Sequence, residues 1–86
     1  MFEPIVFTSH AMVKLQVLRR HGFKIEKEMV VDAIRHPSKV IRGRKDRFIA
    51  QRVYNQRHLI RVVYEVRDSK VMVVTLYPVK RERYEG

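Results

Sequence analysis

The chain lacks several features on which large classes of proteins depend. It contains no cysteine, which excludes a disulfide framework and a thiolate metal site. Its three glycines, at positions 22, 43 and 86, are too dispersed for a glycine-rich phosphate loop. No apolar run approaches the ~20 residues of a membrane span, and the N-terminus lacks a basic region leading into an apolar one. We therefore expect an unprocessed cytoplasmic protein.

Acidic residues are also scarce. Nine Asp and Glu stand against nineteen Lys and Arg, which gives a formal net charge of +10 and a pI near 10.6. Such an excess favours a polyanionic partner, with nucleic acid ahead of an acidic protein and an anionic membrane last. The cations are spread along the whole chain, so they indicate a basic folded surface and not a disordered basic arm. We expect a nucleic-acid partner and no membrane association.

The strongest structural signal is a long β-hairpin near the C-terminus. Residues 58–66 and 71–77 are dense in β-branched and aromatic side chains, and the polar residues 67–70 between them have the length of a hairpin turn. In the first arm, alternation predicts one apolar face, formed by Ile60, Val62, Tyr64 and Val66. Other elements of the fold must bury this face. The opposite face carries Arg61 in the middle of the strand, as a solvated or a functional residue.

The remaining elements predict an α+β fold in one domain, residues 1–86. A short edge strand precedes a two-helix hairpin, and a four-stranded antiparallel meander follows, with the helices on one face and the other face open. Pro78 is expected to end the last strand and to begin a short basic C-terminal extension, residues 78–86. The predicted strands and helices before the long hairpin are a strand at 5–7, a helix at 9–20, a helix that starts at 24 or 25 and ends at 35, and strands at 39–42 and 47–54.

The chemistry-bearing residues exclude most hydrolase classes. His10, His21, His36 and His58 lie far apart, without carboxylates at ligand spacing, so we predict no metal site and no cofactor. Neither a nucleophile elbow nor a pair of catalytic carboxylates is present. What is left is binding, or metal-free acid–base chemistry on a phosphodiester.

Metal-free RNA cleavage needs a base, a cation at the developing negative charge and an acid for the leaving oxygen. His, Lys, Arg and Tyr can fill these roles, although a basic sheet that binds nucleic acid without cutting it uses the same residue types. The planar fork of arginine suits phosphate, and tyrosine can stack on bases. The residues predicted to converge on the open face of the sheet are Arg52, Arg61, Lys80, Arg81, Arg83 and Tyr84.

The first helix carries a second candidate stripe. His10 and Lys14 recur at helical spacing beside the apolar face, together with Val17 and His21. Two interpretations of His10 stay open: it lines a cleft next to the sheet, or it bonds a backbone group in the first helical turn. Lys14 is either a nucleic-acid contact or a solvated residue, and His21 fits a solvated position.

Several short segments follow the order and spacing of a known family. They are Thr8-Ser9-His10-Ala11, Arg20-His21-Gly22-Phe23, Ala33-Ile34-Arg35-His36-Pro37-Ser38-Lys39-Val40, Leu59-Ile60-Arg61-Val62-Val63-Tyr64 and Val73-Val74-Thr75-Leu76-Tyr77-Pro78. Over nearly the whole chain they resemble a family of small domains of unknown function that opens with a Thr-x-His-Ala motif and is allied to the RelE/ParE toxin superfamily. The C-terminal Lys80-Arg81-Glu82-Arg83-Tyr84 is also similar to BrnT-type toxins of that superfamily.

This resemblance implies two helices on a twisted antiparallel sheet. For the toxin members it implies mRNA cleavage, usually on the ribosome, and an antitoxin that covers the basic face, whereas ParE members inhibit gyrase. His10 matches the motif histidine, Arg61 stands where RelE-like nucleases carry a phosphate-binding arginine, and Tyr84 or Tyr77 stands where a C-terminal tyrosine or histidine contributes. The implied catalytic set is therefore His10, Arg61 and Tyr84, with Lys14, Arg52, Lys80, Arg81 and Arg83 as nucleic-acid contacts.

Two functions from different classes follow as expectations. The first is a RelE-like toxin or toxin-derived protein, a metal-free endoribonuclease that acts on mRNA, including ribosome-bound mRNA, and is neutralised by an antitoxin. The alternative is a non-catalytic basic module that binds nucleic acid or another protein. The oligomeric state is expected to be a monomer or a homodimer, since an edge strand at residues 5–7 offers a pairing surface.

Overall fold

The computed structural model describes residues 4–84, and within them five strands and three helices follow one another. The predicted α+β class is therefore confirmed. Residues 1–3, and residues 85 and 86 of the predicted extension, lie outside the described range. In chain order the elements are β1 (Ile5–Phe7), α1 (Ser9–Arg20), α2 (Lys27–Arg35), β2 (Lys39–Arg42), β3 (Arg47–Val53), β4 (His58–Arg67), β5 (Lys70–Lys80) and α3 (Arg81–Tyr84).

All five of these strands form one mixed sheet, in the order β1-β5-β4-β3-β2. The last four are antiparallel neighbours in chain order, because each is joined to the next by a short turn. β1 pairs in parallel with β5, with Ile5 opposite Val71. The predicted position of β1 at an edge is thus correct, while its pairing makes the sheet five-stranded and mixed.

The hairpin of β4 and β5 is the longest pairing in the sheet and runs from His58 opposite Lys80 to Arg67 opposite Lys70. Asp68 and Ser69 form its turn with φ values of 50° and 64°, the left-handed pair that a two-residue type I′ turn requires. The pairing shifts by one residue between Val63 and Tyr64, so β5 contains one extra residue there.

The helices cover one face of this sheet, as predicted. Ala11 and Leu18 of α1 pack there, and α2 adds Val30, Ala33 and Ile34. Val66 was predicted to share this core but is 36% exposed, because it lies next to the hairpin turn and outside the core that the helices cover. The sheet residues buried in this core are Ala50, Ile60, Val62, Tyr64, Val71, Val73 and Leu76.

Both ends of α1 follow from local sequence. Thr8 caps α1, since its hydroxyl oxygen accepts a hydrogen bond from the Ala11 amide at 3.1 Å. Gly22 follows the helix with φ +89°, a conformation that glycine adopts without strain. α2 begins at Lys27, later than predicted, and Ile25 is buried in the loop before it.

Pro78 does not end β5, which continues to Lys80. The amide of Arg81 donates to the Arg57 carbonyl at 2.9 Å, and amides in an antiparallel strand point alternately to either side. The nitrogen of Pro78, opposite Ile60, therefore points away from β4. β1 pairs only with residues 71–73 of β5, so this side of Pro78 is a sheet edge, where proline is tolerated.

The predicted C-terminal extension is ordered as the end of β5 and the short helix α3. It is thus part of the fold through residue Tyr84. None of the helices in residues 4–84 has the length and apolar character needed to cross a membrane.

Candidate nucleic-acid interface

Arg61 lies on the face of the sheet opposite the helices, as the alternation of β4 predicted. It stands between Gln51 of β3 and Tyr77 of β5 in the register of the sheet. Its Nε donates a hydrogen bond of 2.9 Å to Oε1 of Gln51, and Gln51 itself is only 4% exposed. Because Gln51 is buried and accepts this hydrogen bond, it fixes the orientation of the half-buried Arg61 guanidinium.

Tyr84 reaches Arg61 from α3. The guanidinium carbon of Arg61 lies 4.4 Å from the centre of the Tyr84 ring, a cation–π contact. Leu59, two residues before Arg61 on the same face, is 1% exposed although it is not part of the core under the helices. α3 therefore folds back over this end of the sheet, and it brings Tyr84 to the strand that carries Arg61.

A cleft of about 400 Å³ opens at the same end of the sheet. The turn between β3 and β4 forms one wall, and the junction of β5 with α3 forms the other. These walls are tied together because the Arg81 amide donates to the Arg57 carbonyl at 2.9 Å and Arg81 Nη1 donates to the Asn55 carbonyl at 3.2 Å. The lining residues are Gln56, Arg57, His58, Lys80, Arg81 and Glu82.

Positive charge is concentrated at the end of the sheet that holds the cleft, because most of the ion pairs that the structure shows in the sheet lie at the opposite end. At the opposite end of the sheet, Glu65 pairs with both Arg47 at 2.8 Å and Arg67 at 3.2 Å, and Asp46 lies 3.9 Å from Arg42. Near the cleft, Glu82 is the only acidic residue among the described residues of the two walls and α3. The cations of this end, which we call the C-terminal cluster, are Arg57, Arg61, Lys80, Arg81 and Arg83. Lys80 stands opposite His58 and so shares the face of Ile60, and its predicted position on the open face with Arg61 is wrong.

Arg52 is not part of this cluster, and its predicted position beside Arg61 on the open face is wrong. It stands opposite Ile60 in the sheet and so points to the helix-covered side. Arg52 Nη1 donates to the His36 carbonyl at 2.7 Å and lies 3.2 Å from Oδ2 of Asp32. Its guanidinium therefore joins β3 to the end of α2.

His10 and Lys14 also lie on the helix-covered side. Both belong to α1, whose buried residues Ala11 and Leu18 pack on the face opposite Arg61. His10 is exposed in the first turn of the helix, and Lys14 is half-buried. The sheet thus separates His10 from Arg61 and Tyr84, and the three predicted catalytic residues do not form one site.

Comparison with protein-family models, with curated proteins and with solved structures finds no match. Relationship to the RelE/ParE superfamily therefore stays a prediction from the sequence. Within residues 4–84, no group of three His, Asp or Glu side chains is placed to hold a metal ion.

Sequence reasoning missed Gln51, Arg57 and His58 as members of this end of the molecule. Arg57 could have been found by counting the register of the hairpin. If β5 continues through Pro78, this register places Arg57 opposite Arg81. Without the extra residue next to Tyr64, however, the same counting pairs Arg57 with Lys80. The bulge therefore decides which cations face each other.

Proposed function

We propose that this protein is a nucleic-acid-binding module whose C-terminal cluster binds the phosphate backbone of a single-stranded RNA. The observation that supports this most directly is Arg61, held by Gln51 and by Tyr84 at the end of the sheet where the other cations of the cluster lie. Cations that neutralise phosphates release condensed counterions, which is the main source of affinity for such partners.

The aromatic residues of this end suit a single strand better than a duplex. Tyr84 is 41% exposed and lies over Arg61, and Tyr77 is the register neighbour of Arg61 on the same face. Bases of a single strand are free to stack on such rings, whereas those of a duplex are stacked on each other. Phosphates then lie against Arg61 and the cluster, and bases lie against the tyrosines.

Binding of single-stranded RNA is expected to weaken steeply with salt. If the five cations of the C-terminal cluster each neutralise one phosphate, log K falls against log salt with a slope of about −3.5, at about 0.7 per phosphate. Fluorescence anisotropy of a labelled RNA over a series of salt concentrations measures this slope. Binding that is absent, or a slope near zero, contradicts the proposal, and a duplex of the same sequence is the control for the preference for single strands.

A metal-free endoribonuclease of the RelE type is the second candidate, and the contact between Arg61 and Tyr84 favours it. An arginine can stabilise the charge on the reacting phosphate, while a neighbouring phenol can donate the proton to the leaving oxygen. The base is not assigned, because His10 lies on the other side of the sheet. An antitoxin that covers the C-terminal cluster is part of this second proposal, as the resemblance to toxins implies.

Under the second candidate, Tyr84→Phe is expected to lower the rate of RNA cleavage about a hundredfold, the usual contribution of a positioned general acid. RNA binding should change little, because the ring stays over Arg61. Cleavage of mRNA by purified protein, with and without ribosomes, is the measurement, and growth arrest upon expression is the cellular counterpart. Intact mRNA in both assays rules out the enzyme and leaves the binding module.

A further inference from the structure

Among residues 4–84, the sheet ends in two strands that have a neighbour on one side each, β1 and β2. β1 consists of three uncharged residues, so nothing in it selects a partner. β2 is exposed at Lys39, Val40 and Arg42, and Val40 is 47% exposed. It contains no proline, and its register with β3 is unbroken, although prolines and bulges commonly protect such edges from further pairing. The backbone of β2 is therefore accessible to another strand.

Two residues of β2 direct their backbone hydrogen-bonding groups outward. The Gly43 amide donates to the Arg47 carbonyl at 2.7 Å, in the register that joins β2 to β3. Because backbone groups in an antiparallel strand point alternately to either side, those of Ile41 also face β3. The N–H and C=O groups of Val40 and Arg42 therefore face away from the sheet. Two such residues, two positions apart, can form a row of hydrogen bonds with an added strand.

The side chains of β2 define the chemistry of the strand that would pair with it. Lys39 and Arg42 flank the apolar residues Val40 and Ile41. Lys39 forms no ion pair within residues 4–84. Arg42 Nη2 lies 3.9 Å from Oδ1 of Asp46, but these side chains are 75% and 89% exposed, so this contact contributes little. Opposite charges attract across paired strands, so the matching strand has an acidic residue opposite each cation and apolar residues between them.

The same charges disfavour two other occupants. A second copy of this chain would bring two cationic edges together, and Arg44 and Lys45 of the adjoining turn would add to the repulsion. The phosphates of RNA accept hydrogen bonds but donate none, so they would leave the outward carbonyls of Val40 and Arg42 unpaired. An extended acidic peptide satisfies both the backbone groups and the charges.

We propose that β2 is a docking edge for an extended acidic segment of another protein, which joins the five-stranded sheet as a sixth strand. The core of this segment follows the pattern acidic, apolar, apolar, acidic. The pattern reads the same in both directions and so suits a strand of either orientation. Docking at β2 does not depend on RNA binding at the C-terminal cluster, because the two sites share no residue.

The probe is the peptide Gly-Glu-Val-Val-Glu-Gly with blocked ends, and its control has Gln in place of both Glu. The acidic peptide is expected to bind about fivefold more tightly than the control, because it gains two cross-strand charge pairs. In Lys39→Glu/Arg42→Glu, a peptide with Lys in place of both Glu should instead bind about fivefold more tightly than the Gln control. Titrations followed by amide chemical shifts measure these affinities. Equal affinity for the acidic and Gln peptides, or binding of neither up to about 1 mM, contradicts the docking edge.

Hydrogen exchange shows where the peptide binds. The amides of Val40 and Arg42 should exchange rapidly in the free protein, whereas the Gly43 amide is protected by its bond to Arg47. When about nine tenths of the protein carries the acidic peptide, exchange at Val40 and Arg42 should slow about tenfold, with Gly43 unchanged. Slowed exchange elsewhere, with these two amides unaffected, places the peptide at another site and overturns the docking edge.

Val40→Pro removes one outward N–H without removing a hydrogen bond to β3, so it should abolish peptide binding and leave the fold intact. A peptide that is N-methylated at both valines tests the same hydrogen bonds on the unaltered protein, and it should not bind. A dimer of the free chain that Val40→Pro dissociates, detected by sedimentation, would assign the edge to a second copy. Slowed exchange at Val40 and Arg42 with RNA but not with the peptide would assign it to RNA. Either result overturns the acidic strand as the occupant.

Discussion

The triple variant Arg57→Ala/Lys80→Ala/Arg83→Ala is expected to bind single-stranded RNA about a hundredfold more weakly at about 0.1 M salt. Three lost phosphate contacts, each worth about 0.7 in the slope of log K against log salt, lower that slope by about 2. All three side chains are exposed, and none forms an ion pair within residues 4–84. The fold should therefore be unaffected, and the loss is measured by anisotropy titrations over a range of salt.

A charge-matched control lies at the other end of the sheet. Arg44 and Lys45 are exposed in the turn between β2 and β3, and Lys70 is exposed at the start of β5. Alanine at these three positions removes the same net charge, yet affinity should fall less than about threefold, since only long-range attraction is lost and salt screens it beyond ~10 Å. Equal losses in the two triple variants would mean that RNA binds through net charge alone and has no site at the C-terminal cluster.

Leu59→Ala is expected to lower the free energy of unfolding by about 3 kcal/mol, within the 2–5 kcal/mol usual for such a truncation. Leu59 is 1% exposed although it lies on the face opposite the helices, and we infer that the segment that brings Tyr84 to Arg61 covers it, so its truncation should leave a cavity there. For a domain of this size, the melting temperature should fall by roughly 15 °C. Urea denaturation and thermal unfolding measure the two quantities.

Val53 is the matched control for Leu59. It stands directly opposite Leu59 in the sheet and on the same face, but it is 45% exposed. Val53→Ala should change the free energy of unfolding by less than about 0.5 kcal/mol, as is usual for exposed positions. Similar losses in both variants would show that α3 does not cover Leu59 in solution, and the contact between Arg61 and Tyr84 would then lack its support.

Local patterns were sufficient for the elements and for the side of the sheet on which each side chain of β4 lies. β-branched residues and strict alternation in β4 predicted that Ile60, Val62 and Tyr64 meet the helices while Arg61 faces away. Thr8 and Gly22 limit α1 in the structure, and such capping depends on only a few neighbouring residues. Such features depend on contacts between residues that are close in sequence or directly opposite in a hairpin.

Residues far apart in sequence were placed correctly only where the sheet register could be counted. Arg52 was assigned to the wrong side because neither face of β3 is fully apolar. The sequence of this strand therefore does not show which of its faces meets the helices. His10 was grouped with Arg61 because residue type suggests shared chemistry, although the sheet lies between them. The sequences of α1 and β4, taken separately, do not show that the sheet lies between their side chains.

By itself, the sequence determined an α+β chain with excess positive charge and a long hairpin that carries Arg61 on its outer face. Only the tertiary structure decided that β5 continues through Pro78. The Pro78 nitrogen points to an edge of the sheet, where no neighbouring strand needs a hydrogen bond from it. This continuation, with the one-residue shift next to Tyr64, brings Arg57 and Arg81 together and places Tyr84 over Arg61. The candidate site is therefore a product of strand register, which is set by pairing over the whole sheet.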